Sequence, residues 1–256
     1  MPADGEPLRA PTNPRVKAVV ALHGASERRR TGLHVAEGPR VCREALGAGL
    51  VRTLHHVGPL PHTVGPVPAD VDVVAVDERV MARMSDAATP PGVLAVVRTP
   101  VVDDVPPTGP LLVLDGVGDP GNVGTLVRSA AAFGLAVLAL GGADPFGPKA
   151  VRASAGACYR TPVMRRGDAT DAEVLLRGAG RLVVGLDAAG AGRLEGVAAA
   201  VPPAGFALVA GSEPHGLSGP VRAAVDTVAA IPMHGDVESL NVGAAAAVAM
   251  FALTGS

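Results

Sequence analysis

LLVLDGVGDPGNVGTLVRSAAAFGLAVLAL, residues 111–140, is the stretch whose reading decides the fold. Two apolar runs, 111–117 and 136–141, read as buried strands. Between them, 123–133 carries a helical stripe of Val123, Val127, Ala130 and Ala131. Gly134 is placed to stop that helix, and Asn122 to cap its start. The pattern then repeats, with strands at 181–187, 206–211 and 227–231 and helices at 148–157, 169–179, 217–225 and 239–253. Continuous Val/Leu strands separated by helices predict an α/β fold with a parallel sheet covered on both faces. Ligands of such sheets bind beyond the carboxyl ends of the strands, so the residues that follow each strand are the functional candidates.

Three strand ends stand out. After the first strand, Gly116, Gly118 and Gly121 spell the G-x-G-x-x-G of dinucleotide sites, and Asp144 after the next strand sits near the place of a ribose-binding acid. Against that reading, Gly121 and Gly124 fall at the helix start, where glycine weakens a helix by about 0.5–1 kcal/mol each. Asn122 and Arg128 have no obvious use in a dinucleotide site, and a surface charge is the alternative reading of Arg128. The second strand end, ALVAGSEPHGLSGPV at 207–221, delivers Gly211, Ser212, Glu213 and His215. A carboxylate directly at a strand end has little structural reason to be there, whereas His215 reads as an exposed loop histidine. The third, IPMHGDVESLNVGAAAAVAMFAL at 231–253, starts a helix near Ser239 or Asn241. That helix is almost all small and apolar, which predicts close packing within the chain or across a dimer.

The first hundred residues form a separate small α/β unit. A helix near 14–24 is followed by an arginine loop, a strand in GLHVAEG, a helix at 39–48, a strand in VRTLHHV, a helix in DERVMARMS and a closing strand in GVLAVVR. The proline-rich, acidic segment 100–109 reads as a linker and residues 1–13 as a disordered tail. The expected domains are therefore 14–99 and 110–256.

Net charge is −2, but its distribution is uneven: residues 1–60 carry nine Lys/Arg against five Asp/Glu. Arg28, Arg29 and Arg30 are adjacent there and are the best candidates for gripping phosphates, although such runs are commonly solvated loops. With one Tyr, four Phe and no Trp, base stacking on aromatic platforms is largely excluded. Cys42 and Cys158 are far apart in sequence and read as small buried hydrophobes in a reducing compartment; no metal site is suggested. The N-terminus lacks the apolar core of a signal peptide, and the most apolar run is too short to span a bilayer, so a soluble cytoplasmic protein is expected.

Taken together, NVGTLVR, LVAGSEPHGLS and IPMHGDVESLNV resemble, in order and spacing, the three motifs of the SpoU (TrmH-type) RNA ribose 2′-O-methyltransferases of the SPOUT class. PKAVRASAGACYRTPV looks like the family's connecting segment. GLHVAEGPRVCREAL and SDAATPPGVLAVVR look like the ribosomal-protein-like substrate-binding domain that many members carry, so the resemblance covers residues 14–253. It implies a parallel-sheet SPOUT catalytic domain with a C-terminal trefoil knot, a homodimer, and S-adenosylmethionine contacted mainly by backbone at Gly211, Ile231, Met233 and Leu240. It implies Arg128 as the catalytic centre, with Asn122, Ser239 and Asn241 orienting the ribose and Arg128, and Glu213 holding Arg128 or the motif loops. A guanidinium is effectively never deprotonated, so Arg128 is expected to stabilise the developing oxyanion and clamp a phosphate rather than act as base. Arg40 and Arg152 join Arg28, Arg29 and Arg30 as RNA-contact candidates. The implied substrate is RNA, ribosomal in preference to transfer RNA. A catalytically inactive RNA-binding module and a dinucleotide-dependent oxidoreductase are the alternatives.

Overall fold

The computed structural model describes residues 6–188, 190–234 and 239–255. The chain divides into two compact units, one of residues 1–100 with 146–160, the other of 101–145 with 161–256. The units therefore interleave along the chain, whereas the sequence reading places one boundary at a single linker.

The first unit contains α1 (Pro14–Ala21), α2 (Ala25–Thr31), β1 (Leu33–Glu37), α3 (Pro39–Gly47), β2 (Val51–His56), β3 (Asp72–Ala75), α4 (Glu78–Met84) and β4 (Val93–Arg98). Its sheet has the order β1-β4-β2-β3 and is mixed, with only β2 and β3 parallel. Val35, Leu94, Val80, Met81 and Met84 form its core with α1. The expected arginine loop is helix α2, stopped by Gly32 at φ 66°. The described part of the expected disordered tail, residues 6–13, is also ordered. Leu8 bridges Val76, and the Asn13 side chain accepts the Arg15 N–H to cap α1. Residues 1–5 lie outside the described residues. His55 is buried on β2, and burial pushes its imidazole down to about 4, so it is held neutral.

The second unit alternates strand and helix: β5 (Leu111–Asp115), α5 (Pro120–Ala132) and β6 (Ala136–Leu140). The chain then contributes α6 (Pro148–Ala153) to the first unit before returning. It continues with β7 (Val163–Arg166), α7 (Ala172–Arg177), β8 (Leu182–Leu186), β9 (Gly192–Arg193), α8 (Leu194–Ala199), β10 (Phe206–Gly211), α9 (Gly219–Ala224), β11 (Thr227–Ala230) and α10 (Val242–Thr254). The seven strands are all parallel, in the order β7-β6-β5-β10-β8-β11-β9. Leu111, Val113, Leu138, Val183, Ala207 and Val209 bury one face of the sheet against α7 and α9. β7, β9 and α8 carry no clear periodic signal, because elements of two to six residues are too short to show one.

The second half of the expected linker is tied down. Arg181 is 3 % exposed, and its guanidinium donates to the carbonyls of Pro106, Thr108 and Gly109. Burial lowers its pKa, and among the described residues the carbonyl dipoles are what its charge meets. Cys42 and Cys158 are free and buried, and burial pushes their thiols up to about 12 and about 11.

Candidate active site

The carboxyl ends of β8, β10 and β11, three adjacent strands, open into one cavity of about 390 Å³. That size is within the range of small-molecule sites. All four residues expected to contact a cofactor, Gly211, Ile231, Met233 and Leu240, line it, together with Glu213 and Ser239.

The backbone here is held by close approach. Ser212 and Gly216 exchange two hydrogen bonds, at 3.0 and 2.8 Å, so the chain after β10 folds back on itself. A Cβ on Gly211 would lie 2.5 Å from the Gly216 carbonyl carbon, and Gly216 itself has φ 62°. Both glycines are therefore required by geometry. Asp115, 4 % exposed at the end of β5, accepts the Ser218 N–H at 2.6 Å and anchors the far side of the loop.

The three motifs meet in a directional hydrogen-bond chain. The Gly243 N–H donates to Asn241 Oδ1 at 2.9 Å, Asn241 Nδ2 donates to Asn122 Oδ1 at 3.1 Å, and Asn122 Nδ2 donates to Glu213 Oε1 at 2.7 Å. Each amide has both its ends used, which sets its flip and aims the last donor at a carboxylate. The expectation that Asn122 caps α5 is corrected: Asp119 Oδ1 accepts the Asn122 N–H and is the cap, leaving the Asn122 side chain for this chain of bonds. Asn241, not Ser239, caps α10.

Arg128 stands apart. Six residues beyond Asn122, it is turned about 240° around the helix from it. It is exposed, shares a face with Thr125 and Ala132, and has no hydrogen-bond partner among the described residues. Of the two expectations for Glu213, holding Arg128 or holding the motif loops, the Glu213–Asn122 bond is of the second kind. Residues 235–238 of the third motif lie outside the described residues.

The glycine fingerprint is a turn. Gly116 has φ 66°, but a Cβ on Gly118 would meet nothing within 4 Å. Asp144 is paired with Arg165 at 2.9 Å. Asp187 and Arg222 also line the cavity, and the sequence reading does not single them out. The rule that ligands lie beyond strand ends points to Asp187, the first residue after β8.

The arginines of the first unit divide. Arg28 is 6 % exposed, and its guanidinium donates to the carbonyls of Leu22 and His23, capping the end of α1. Arg152 bonds the buried Glu37 at 3.1 Å and Asp86 at 3.0 Å. Both are expected RNA contacts, and in the structure both side chains are engaged within their own unit. Arg30 is paired with Glu27, whose carboxyl it keeps below the usual range, while Arg29 and Arg40 are exposed.

Comparison with known proteins agrees with this geometry. Residues 109–251 match the SpoU rRNA Methylase family, and residues 13–95 match the MRM3-like substrate binding domain. The 23S rRNA (guanosine(2553)-2′-O)-methyltransferase RlmP of Bacillus subtilis is 29% identical over 97% of this chain and 99% of its own length. The SpoU methyltransferase AviRb of Streptomyces viridochromogenes, solved in complex with AdoMet, superposes with a TM-score of 0.81 at 28% identity, covering 94% of this chain and 97% of that one. A TrmH-family RNA methyltransferase structure from Porphyromonas gingivalis has a TM-score of 0.79 at 33% identity, covering 93% and 96%. A parallel sheet whose strand ends bring the second and third motifs onto one cavity, with the first hydrogen-bonded to both, and a sequence match over more than half the chain, place this protein in the SpoU rRNA methylase family.

Proposed function

We propose that this protein is an S-adenosylmethionine-dependent methyltransferase that modifies a ribose 2′-hydroxyl of ribosomal RNA. The observation that carries the reading is the convergence of Gly211, Glu213, Ile231, Met233, Ser239 and Leu240 on one cavity. The cavity suits the methyl donor chemically. Ile231, Met233 and Leu240 offer apolar surface to an adenine, and the carboxylate of Glu213 suits a cationic sulfonium. When bound, the donor supplies an electrophilic methyl group. RlmP and AviRb, whose names describe rRNA and SpoU methylation, favour ribosomal RNA as substrate.

The residues of this chain then have distinct tasks. Arg128, permanently charged, stabilises negative charge developing on the 2′-oxygen and holds an adjacent phosphate. The Asn241–Asn122–Glu213 chain of hydrogen bonds fixes the three motif loops in one arrangement before RNA arrives. Preorganisation of this kind converts binding into rate through orientation. Residues 14–99 bind the RNA, with Arg29 and Arg40 as its exposed cations. Mass-spectrometric mapping of 2′-O-methyl groups in rRNA and tRNA, from cells with and without the gene, tests the reading. Loss of one rRNA methyl group is expected; unchanged maps would sink it.

The same reading includes a cytoplasmic homodimer and a C-terminal trefoil knot. Supporting the dimer, α5 and α10 run side by side, with Thr125 against Gly243 at one end and Phe133 against Phe251, ring centroids 6.4 Å apart, at the other. The exposed faces of this pair carry Val248, 45 % exposed, and Phe251, 58 % exposed. Large apolar side chains clustered in the open mark a contact surface. Arg128 is also exposed on α5, so a second copy covering this helix pair would bring Arg128 to the dimer seam. Phe251→Asp is expected to give monomers by light scattering and to lose methyl transfer; a dimer of unchanged stability would remove this assignment. A crystal structure traced from β8 through α10 decides the knot.

A further inference from the structure

Among the described residues, four ionisable side chains line the cavity, Asp187, Glu213, His215 and Arg222. Glu213 already accepts a hydrogen bond from Asn122. Asp187 and Arg222 face each other differently: Arg222 Nη2 and Asp187 Oδ2 are 3.8 Å apart, the long limit of an ion pair. The Arg222 side chain is 55 % exposed and that of Asp187 31 %. A pair so long and so wet is worth little as a stabilising contact and opens readily. It lies over the bare α-carbon of Gly216, where a Cβ would come within 3.7 Å of Arg222 Nη2 and 3.9 Å of Asp187 Oδ2. Asp187 is held by its backbone, whose N–H donates to the Ala229 carbonyl at 3.1 Å, so the carboxylate is presented from a fixed point at the end of β8.

We propose that Asp187 and Arg222 read the amino-acid end of the methyl donor, the Asp187 carboxylate accepting from its α-ammonium and the Arg222 guanidinium holding its α-carboxylate. This rests on the methyltransferase reading above. The chemistry is one of matched opposites: a carboxylate and a guanidinium on one wall meet the ammonium and carboxylate of a zwitterion. The long, solvated contact between the two side chains gives way to charge-assisted bonds to the ligand. Arginine suits the task because its planar fork meets a carboxylate with two parallel donors. The apolar wall of Ile231, Met233 and Leu240 leaves the nucleoside end to contacts that carry no charge. Asp187 and Arg222 are therefore specificity residues, selecting a donor that carries an intact amino acid.

Calorimetry on the full chain tests this with two probes. S-adenosylhomocysteine keeps the zwitterion and 5′-methylthioadenosine lacks it. The wild-type protein is expected to bind the first more tightly than the second. Asp187→Asn and Arg222→Gln, tested separately, should each weaken S-adenosylhomocysteine by about 10- to 100-fold, the loss of a charge-assisted contact. Binding of 5′-methylthioadenosine should stay unchanged in both variants, which also shows that the cavity is still formed. S-adenosylhomocysteine bound by both variants as tightly as by wild type overturns the proposal. Equal weakening of both probes overturns it too, since the pair would then shape the cavity rather than read the zwitterion. Wild-type protein that binds neither probe would instead remove the methyltransferase reading beneath it.

Discussion

Replacing Arg128 with alanine is expected to lower methyl transfer by about 10²–10³, the cost of removing one preorganised donor from a developing oxyanion. Binding of S-adenosylmethionine should be nearly unchanged, because Arg128 is not among the residues lining the cavity. Stability should also hold, since the side chain is exposed and no described residue hydrogen-bonds it. Arg128→Lys keeps the charge but loses the planar fork, so it should recover only part of the rate. Single-turnover assays with saturating RNA separate the step from binding. Turnover of Arg128→Ala near the wild-type rate would dismiss the assignment. The geometry explains why this residue can be so separable: it sits about 240° around α5 from Asn122, away from the hydrogen bonds that organise the motif loops.

Gly211→Ala should act in the opposite way, through the cavity and not through the reacting groups. The added methyl would sit 2.5 Å from the carbonyl carbon and oxygen of Gly216 and 2.9 Å from the Leu217 nitrogen. All three are backbone atoms, so no rotamer change relieves the clash. The loop from Ser212 to Gly216, pinned by its two mutual hydrogen bonds, must move as a body. A loss of about 1–3 kcal/mol in stability is expected from overpacking of this kind. Because Gly211, Glu213 and Gly216 all line the cavity, binding of S-adenosylmethionine should fall by more than tenfold, about 1.4 kcal/mol. Thermal melts and calorimetry on the same variant check both. Wild-type affinity would mean that the loop is softer than its contacts indicate. By contrast, Gly118→Ala should be silent, as nothing lies within 4 Å of that position. The contrast separates the glycines of the second motif from the dinucleotide-like spacing around Gly116.

Much of the site is legible in the amino-acid sequence. Strand ends are readable from apolar runs, and the rule that ligands lie beyond them leads to Gly211, Glu213 and the segment after Ile231. Other parts are not legible, for identifiable reasons. Arg28 and Arg29 are neighbours in sequence and equally basic, yet a helix turns them about 100° apart, so one is buried against the end of α1 and the other faces solvent. Arg152 reads as a free cation because its partners, Glu37 and Asp86, are remote in sequence. Asn122 reads as a cap because asparagine favours that position. Asp119 takes the position instead, and Asn122 bonds residues 91 and 119 positions away. Asp187 draws no notice because a single acid after a short strand has no periodic neighbour to mark it.

The sequence alone determined the alternation of strands and helices, the family to which the motifs point, and the residue types available for chemistry. These are local properties: periodicity, spacing and composition need only neighbours along the chain. Only the tertiary structure decided which of those residues meet. The order β5-β10-β8-β11 brings together the ends of strands that are far apart in sequence, and that adjacency makes one cavity of the second and third motifs and lets Asn122 of the first bond to both. It also paired Asp187 with Arg222 and turned Arg128 away from Asn122. Such pairings depend on long-range packing and helix phase, which no stretch of sequence carries by itself.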